Sequence, residues 1–299
     1  MTEILTDDEI LLLDGGIGMQ LVARGVATSD QLWAARALIE QPEIVSAVHD
    51  AYLAAGADVI TTNTYSTALP RMERAGVAQR FRELNELAAQ LAVQARDAHG
   101  RDVLIAGSLP PLGGSYRPDE VGDDLWMVDN YRMQAEVLAP FVDVLLPETL
   151  SSSREARAAA SAAVSVGRPV WIGLTVGDDG RLRGGETVAE AVGGLRVDGV
   201  FANCATPEAI TAAMPEIVTA AAAYVGGYAN AFAQVPRDWE VTQGLDRLGS
   251  RSDIDPDAYA TIVSDWLDGS ANVVGGCCGI GPDHIATLRE LIDGRTSAG

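Results

Sequence analysis

Residues 272–292 have the sequence NVVGGCCGIGPDHIATLRELI and combine a short apolar strand, a glycine-rich turn and a helix. The apolar run that ends at Val274 predicts a buried strand. Pro282 predicts the start of the helix, because proline is favoured in the first helical turn. Two adjacent cysteines, Cys277 and Cys278, follow the strand directly. The whole chain repeats this strand-then-helix unit.

The repetition predicts eight strands. They lie in LLLDG (11–15), ADVITTNTY (57–65), VLIAGS (103–108), VDVLLPET (142–149), PVWIGLTV (169–176), DGVFANC (198–204), AAAYVGGYAN (221–230) and NVVGGCCG (272–279). The intervening helices are predicted to end near Gly56, Gly100, Gly167 and Gly269. Eight apolar strands alternating with helices favour an α/β protein with a closed (β/α)8 TIM barrel, as one domain over residues 1–299. A doubly wound open sheet is the alternative.

Composition excludes several classes of function. The chain is 47% hydrophobic, yet no apolar run approaches the roughly 20 residues that a membrane helix needs. Its 42 acidic and 21 basic residues give a net charge of −21, which would repel the phosphates of a nucleic acid. The first residues, MTEILTDDEI, lack the apolar core of an export signal. We therefore expect a cytoplasmic protein with no membrane or nucleic-acid partner.

The three cysteines of the chain all follow predicted strands. Cys204 ends VFANC, and Cys277 and Cys278 end the last strand, so in a barrel their thiols would share one face. Three thiolates leave a soft tetrahedral metal one ligand short, which is typical of a catalytic zinc with a position open for a thiol substrate. Two alternatives remain, namely buried structural thiols and a redox-active vicinal pair.

Other polar residues also follow predicted strands. Asp14 and Glu148 end strands 1 and 4, and two carboxylates that face one cavity could hold the ammonium group of an amino acid. Their alternatives are a turn residue for Asp14 and a solvated rim residue for Glu148. The further candidates for substrate binding are Gly15, Thr62, Asn203 and Asn230. None of the three histidines, His49, His99 and His284, is expected to be catalytic.

Seven segments together resemble one family. They are LLDGGIGMQL (12–21), GADVITTNTYSTALPRM (56–72), IAGSLPPLGGSY (105–116), DVLLPET (143–149), DDGRLRGGETVAEAV (178–192), FANC (201–204) and VVGGCCGIGPDHI (273–285). In order and spacing they are similar to the homocysteine S-methyltransferases, the zinc-dependent (β/α)8 methyltransferases. The resemblance implies that Cys204, Cys277 and Cys278 bind Zn²⁺. It also implies that Asp14, with Gly15, and Glu148 hold the amino-acid end of homocysteine, and that the product is methionine.

The methyl donor is less sharply indicated. Residues 179–192, DGRLRGGETVAEAV, resemble the branch that uses the sulfonium S-methylmethionine, with S-adenosylmethionine as the second choice. Two loops, YANAF (228–232) and GSLPPLGGSY (107–116), depart from the family pattern on the donor side. A betaine-type methyltransferase and a non-enzymatic zinc-binding barrel are the alternatives, and a barrel lyase with a redox cysteine pair is a third. Because eight units use nearly the whole chain, no cobalamin-binding module is expected.

Overall fold

The computed structural model describes residues 10–26, 32–233, 235, 248–249 and 251–297. Most of the N-terminal segment MTEILTDDEI, and the first and last residues of the predicted single domain, lie outside the described residues. Among the described residues, no helix is both long enough and apolar enough to cross a bilayer.

All eight predicted strands are present in the described part of the chain. They are β1 (Leu11–Leu12), β2 (Val59–Thr61), β3 (Leu104–Leu109), β4 (Val144–Pro147), β5 (Trp171–Leu174), β6 (Gly199–Asn203), β7 (Tyr224–Ala229) and β8 (Val273–Gly276). Nearly every strand residue is buried, as expected for strands that are covered by helices on one side and by a packed interior on the other.

The described α-helices include the eight predicted ones and three short additions. They are α1 (Ile17–Ala23), α2 (Ala35–Glu40), α3 (Pro42–Ala54), α4 (Leu69–Arg74), α5 (Phe81–His99), α6 (Asp124–Leu138), α7 (Ser153–Val164), α8 (Val188–Val192), α9 (Pro207–Ile217), α10 (Pro256–Asp268) and α11 (Pro282–Thr296). The sequence did not predict α1, α2 and α4, none of which begins with a side-chain cap hydrogen bond, whereas the equally short α8 begins with a capping box at Thr187 and Glu190.

The four predicted helix ends are confirmed, since Gly56, Gly100, Gly167 and Gly269 follow closely on the last residues of α3, α5, α7 and α10. Gly56, Gly100 and Gly167 have left-handed φ angles of 97°, 75° and 80°. After α10, however, Gly269 has a φ of −83°, and the left-handed residue is Ser270, with a φ of 81°.

The strands close into a barrel in chain order. Parallel pairing runs in two ladders, β1–β8–β7–β6–β5 and β2–β3–β4. Single parallel bridges join the ladders at both seams, from Leu13 to Val59 and from Leu145 to Val170. The first seam also has a backbone hydrogen bond of 2.9 Å from Asp14 N to Val59 O. This ring confirms the (β/α)8 barrel and excludes the doubly wound open sheet.

The barrel interior is a packed core that supports the site above it. Alternate strand residues point inward and form a cluster of Leu11, Leu13, Val59, Ala106, Val144, Leu146, Trp171, Phe201, Tyr224, Tyr228 and Val273. Trp171 packs edge-on against Phe201, with 5.5 Å between the ring centroids. Leu13, Leu146 and Tyr228 also line a cavity at the carboxyl ends of the strands, so the core forms the floor of that cavity.

Candidate active site

The three cysteine sulfurs converge at the carboxyl end of the barrel. Their Sγ atoms all lie within 4.8 Å of one another. Cys204 is buried, and Cys277 and Cys278 are half-buried. Four sulfurs around a tetrahedral zinc, at a Zn–S distance of about 2.3 Å, would be about 3.8 Å apart. The three thiols therefore have the chemistry and the spacing of a zinc site with one open position.

Strand β7 holds both cysteine turns in place. The amide of Cys204 donates to Tyr228 O at 3.1 Å, and the amide of Cys277 donates to Ala229 O at 2.8 Å. On the far side of the turn, the carbonyl of Cys278 accepts from Ala231 N at 2.8 Å. Because β7 lies between β6 and β8, thiols that are more than seventy residues apart in sequence become neighbours.

The turn after β1 closes over the cysteine pair only because it contains glycine. A Cβ atom on Gly16 would lie 2.6 Å from Cys277 O and 2.9 Å from Cys278 Cα. A Cβ on Gly15 would lie 2.3 Å from Ile280 O. The Asp14-Gly15-Gly16 segment can therefore approach the turn that carries Cys277 and Cys278 closely and place Asp14 at the same cavity.

Asp14 is a buried carboxylate held by the neighbouring strand. Its Oδ2 accepts from Thr61 N at 2.8 Å, and both carboxylate oxygens accept from Thr61 Oγ1 at 3.1–3.2 Å. Burial raises the pKa of Asp14 to about 7. The hydrogen bonds from Thr61 oppose that rise, and the charge of Glu148 adds to it. A cation bound next to Asp14 would stabilise its ionised form and lower this pKa.

Glu148 is the second buried carboxylate of the cavity. Its Oε1 accepts from Ser108 Oγ at 2.5 Å, and its Oε2 accepts from Tyr228 OH at 3.1 Å. Burial raises the pKa of Glu148 to about 7, and the charge of Cys204 adds to the rise. Asp14 and Glu148 come from opposite sides of the ring, yet they line one cavity and interact electrostatically.

The cavity has about 860 Å³ of empty space, part of it open to solvent. One side carries the thiols and carboxylates, and another carries aromatic rings. Trp33 and Tyr65 meet edge to face, with 5.9 Å between their centroids. The Tyr65 hydroxyl lies 2.9 Å from Ser115 Oγ, and Tyr116 lines the wall beside them. Aromatic faces next to buried anions are suited to a small organic cation.

The structure brings seven of the nine predicted site residues to this cavity. They are Asp14, Gly15, Thr62, Glu148, Cys204, Cys277 and Cys278. The Thr62 hydroxyl is 2.7 Å from Thr64 Oγ1 and accepts from Ser108 N at 3.1 Å, so it also links strands β2 and β3.

The two predicted asparagines do not line this cavity. The side-chain amide of Asn203 makes two hydrogen bonds to Thr149. Its Nδ2 donates to Thr149 Oγ1 at 3.0 Å, and its Oδ1 accepts from Thr149 N at 2.9 Å. Thr149 has a left-handed φ of 61°, and its side chain lines the cavity. Asn203 therefore supports Thr149 from the barrel interior, below the cavity. Asn230 borders a second cavity, of about 1110 Å³, and accepts from Phe232 N at 3.2 Å.

Sequence reasoning missed Trp33, Ser115 and Tyr116. Ser115 and Tyr116 end the segment IAGSLPPLGGSY (105–116), which contributed to the family resemblance without being singled out as part of the site. The available signal was its position, since this loop follows a barrel strand and ends in an aromatic residue. Trp33 had no comparable signal. The histidines do not line the cavity among the described residues; His49 is buried, which lowers its pKa to about 4, and His284 packs at the start of α11.

A family model, curated relatives and a solved structure that resemble this chain are all homocysteine methyltransferases. A family model described as homocysteine S-methyltransferase matches residues 11–292. Homocysteine S-methyltransferase 1 of Brassica oleracea var. italica is 30% identical over 94% of this chain and 93% of its own length. The Zea mays protein of the same name is 28% identical, with 95% of each chain covered. The metallated crystal structure of the Escherichia coli homocysteine methyltransferase MmuM is 26% identical, with a TM-score of 0.80 over 94% of this chain and 96% of its own.

The buried carboxyls predict a specific pH dependence of stability. Glu148 has a folded pKa of about 7, above the usual range of an unfolded glutamate, so folding loses stability as pH rises from about 4.5 to 7. In the metal-free, reduced protein, Glu148→Gln should remove about 2–3 kcal/mol of this loss between pH 5 and pH 8. Urea unfolding at the two pH values measures it.

Glu83→Gln is the matched control for this prediction. Glu83 is exposed, and its hydrogen bond to Arg80 lowers its pKa, so it stays ionised from pH 5 to pH 8. The control should keep the pH dependence of the unchanged protein. If Glu148→Gln showed the same pH dependence of stability as the unchanged protein, Glu148 would not titrate in this range.

Proposed function

Because the chain belongs to the homocysteine S-methyltransferase family, and so transfers a methyl group to homocysteine, we propose that it takes the methyl from a sulfonium donor and uses zinc. Zinc would be held by Cys204, Cys277 and Cys278. The observation that supports this proposal is the meeting of three thiols, two buried carboxylates and an aromatic wall in one cavity.

The donor set fits zinc better than a harder metal. Three sulfurs without a histidine or carboxylate ligand favour a soft tetrahedral ion. A free thiol has a pKa near about 8.5 and is mostly protonated at neutral pH. Zinc bound by the three cysteines would supply the Lewis acidity that makes an incoming thiol deprotonate. The three cysteines line the cavity that also contains Asp14 and Glu148, so a thiol bound there could reach a metal that they hold.

The two carboxylates would bind the ammonium group of homocysteine. Each accepts hydrogen bonds from protein donors and retains lone pairs for a further donor. Burial raises the pKa of both groups to about 7, and an ammonium ion between them would lower those values and be held by charge-assisted hydrogen bonds. Gly15 and Thr62 border the same space and complete the proposed contacts. Asn203 would act through Thr149.

The reaction that follows needs no acid. The homocysteine sulfur, having lost its proton, attacks the donor's methyl carbon and forms the new carbon–sulfur bond. The bond between that methyl and the donor's sulfonium sulfur breaks, and its electron pair stays on the donor, which leaves as a neutral thioether. This balance agrees with a cavity that no described histidine lines. Trp33 and Tyr65 would face the sulfonium cation.

A sulfonium is favoured over betaine by residues 179–192, which resemble the S-methylmethionine branch. S-methylmethionine is therefore the first candidate donor and S-adenosylmethionine the second. A reducing, cytoplasmic environment belongs to the proposal, because oxidation of the free cysteines would remove the metal ligands.

The zinc assignment predicts about one zinc ion per purified chain. Cys277→Ser replaces a soft ligand with a hard, protonated one, so zinc affinity should fall by more than the roughly 100-fold typical of outer-shell changes. Metal analysis after dialysis against a weak chelator measures the change. Full zinc content in Cys277→Ser would reject Cys277 as a ligand. All three cysteines of the chain are proposed ligands, so no further cysteine can be substituted as a control. The unchanged protein is therefore the reference.

The carboxylate assignment predicts a change in substrate binding without a change in metal content. Glu148→Gln should raise the KM for homocysteine by about 10- to 100-fold, because one charge-assisted hydrogen bond contributes about 1.5–3 kcal/mol. Initial rates and zinc content are measured on the same samples. Glu83→Gln, on the outer surface of α5, is the control and should match the parent. An unchanged KM in Glu148→Gln and in Asp14→Asn would reject this role.

The donor assignment predicts an order of rates. Methionine formation from homocysteine should be fastest with S-methylmethionine, slower with S-adenosylmethionine and slowest with betaine, all at equal concentration. The zinc-stripped protein should form no methionine until zinc is restored. If betaine were the best donor, the sulfonium assignment would be wrong, and full activity without zinc would reject the metal.

A further inference from the structure

Tyr116 contacts a cysteine sulfur directly. Its hydroxyl oxygen lies 2.9 Å from Cys204 Sγ, and both residues are buried. Tyr116 lies in the loop between β3 and α6 and has a left-handed φ of 67°, which is uncommon for an aromatic residue. The surrounding structure therefore holds the backbone in an unfavourable conformation that places this hydroxyl at the sulfur.

The direction of this hydrogen bond follows from the proposed role of Cys204. A thiolate that binds a metal carries no proton and can only accept, so the tyrosine hydroxyl must be the donor. We propose that Tyr116 is a positioning residue that donates a hydrogen bond to the Cys204 thiolate and withdraws electron density from the metal site. This inference rests on the proposed metal-binding function of the three cysteines.

Arg183 lies over the Tyr116 ring and strengthens the hydrogen bond from Tyr116 to Cys204. Its guanidinium carbon lies 4.7 Å from the centre of the Tyr116 ring. Arg183 itself is fixed by a hydrogen bond of 3.2 Å from Nη1 to Val235 O. A cation over an aromatic face draws electron density out of the ring, which makes the phenol O–H a better donor.

The need for such a donor comes from the charge of the site. Cys204, Cys277 and Cys278 put three thiolates within 4.8 Å of one another, and two carboxylates share the cavity. A fourth sulfur must enter against this charge during the reaction. A hydrogen bond on Cys204 disperses part of the charge through the Tyr116 ring toward Arg183, and it also fixes the orientation of the Cys204 side chain.

Cobalt(II) provides a readout that does not depend on turnover. In the Co²⁺-loaded protein, a hydrogen bond stabilises the sulfur lone pair and raises the energy of sulfur-to-cobalt charge transfer. Tyr116→Phe should therefore bind one Co²⁺ and show this band at longer wavelength. Its zinc affinity, measured by chelator competition, should fall about 10- to 100-fold.

Tyr65→Phe is the matched control, because it removes a hydroxyl from the same cavity that is bonded to Ser115. Its cobalt band should stay at the wavelength of the parent protein. A band in Tyr116→Phe that coincides with the parent band would overturn the proposal. An equal red shift in Tyr65→Phe would overturn it as well, because the effect would then belong to the cavity as a whole.

Arg183→Met tests the chain of contacts with the tyrosine intact. It removes the cation but keeps an extended side chain, so the cobalt band should shift in the same direction by a smaller amount. In the Tyr116→Phe background the same change should add nothing, because the two residues act in series. An additive shift in the double variant would show that Arg183 does not act through Tyr116. If Tyr116→Phe fails to fold, an unshifted cobalt band in Arg183→Met alone overturns the proposal. Absent methyl transfer by the zinc-loaded parent would instead reject the proposed function, whatever the cobalt spectra show.

Discussion

The pairing of β7 with both β6 and β8 is the constraint on which the active site depends. The amides of Cys204 and Cys277 both donate to β7, at Tyr228 O and Ala229 O. Parallel strands in register end at the same level, so the two cysteine turns emerge side by side. Without that register, Cys204 would be separated from the Cys277–Cys278 pair.

The site concentrates negative charge in a buried place, and the fold compensates for it in defined ways. Thr61 donates twice to Asp14, while Ser108 and Tyr228 donate to Glu148. These bonds only partly offset desolvation, since the pKa of each carboxyl stays near 7. A cavity of this kind stabilises cations when they arrive, which suits both an ammonium group and a sulfonium donor.

The sequence predicted most of the framework because the framework is local. Each strand is a short apolar run, and several of the predicted helices begin at prolines such as Pro42, Pro207 and Pro282. The short helices α1, α2 and α4 were missed because their formation depends on packing against the barrel rather than on their own period.

What the sequence alone determined was the eightfold strand–helix order, the placement of three cysteines after strands, and the two acidic residues at strand ends, since each is a property of a short segment. Only the tertiary structure decided which strand-end side chains face the cavity. Asn203 immediately precedes Cys204, yet it does not line the cavity, because its amide bonds to Thr149 within the barrel interior. Tyr116 reaches Cys204 across 88 positions of sequence, and no local pattern encodes that distance. It follows from the closure of the barrel, which brings the loops after β3, β5 and β6 together.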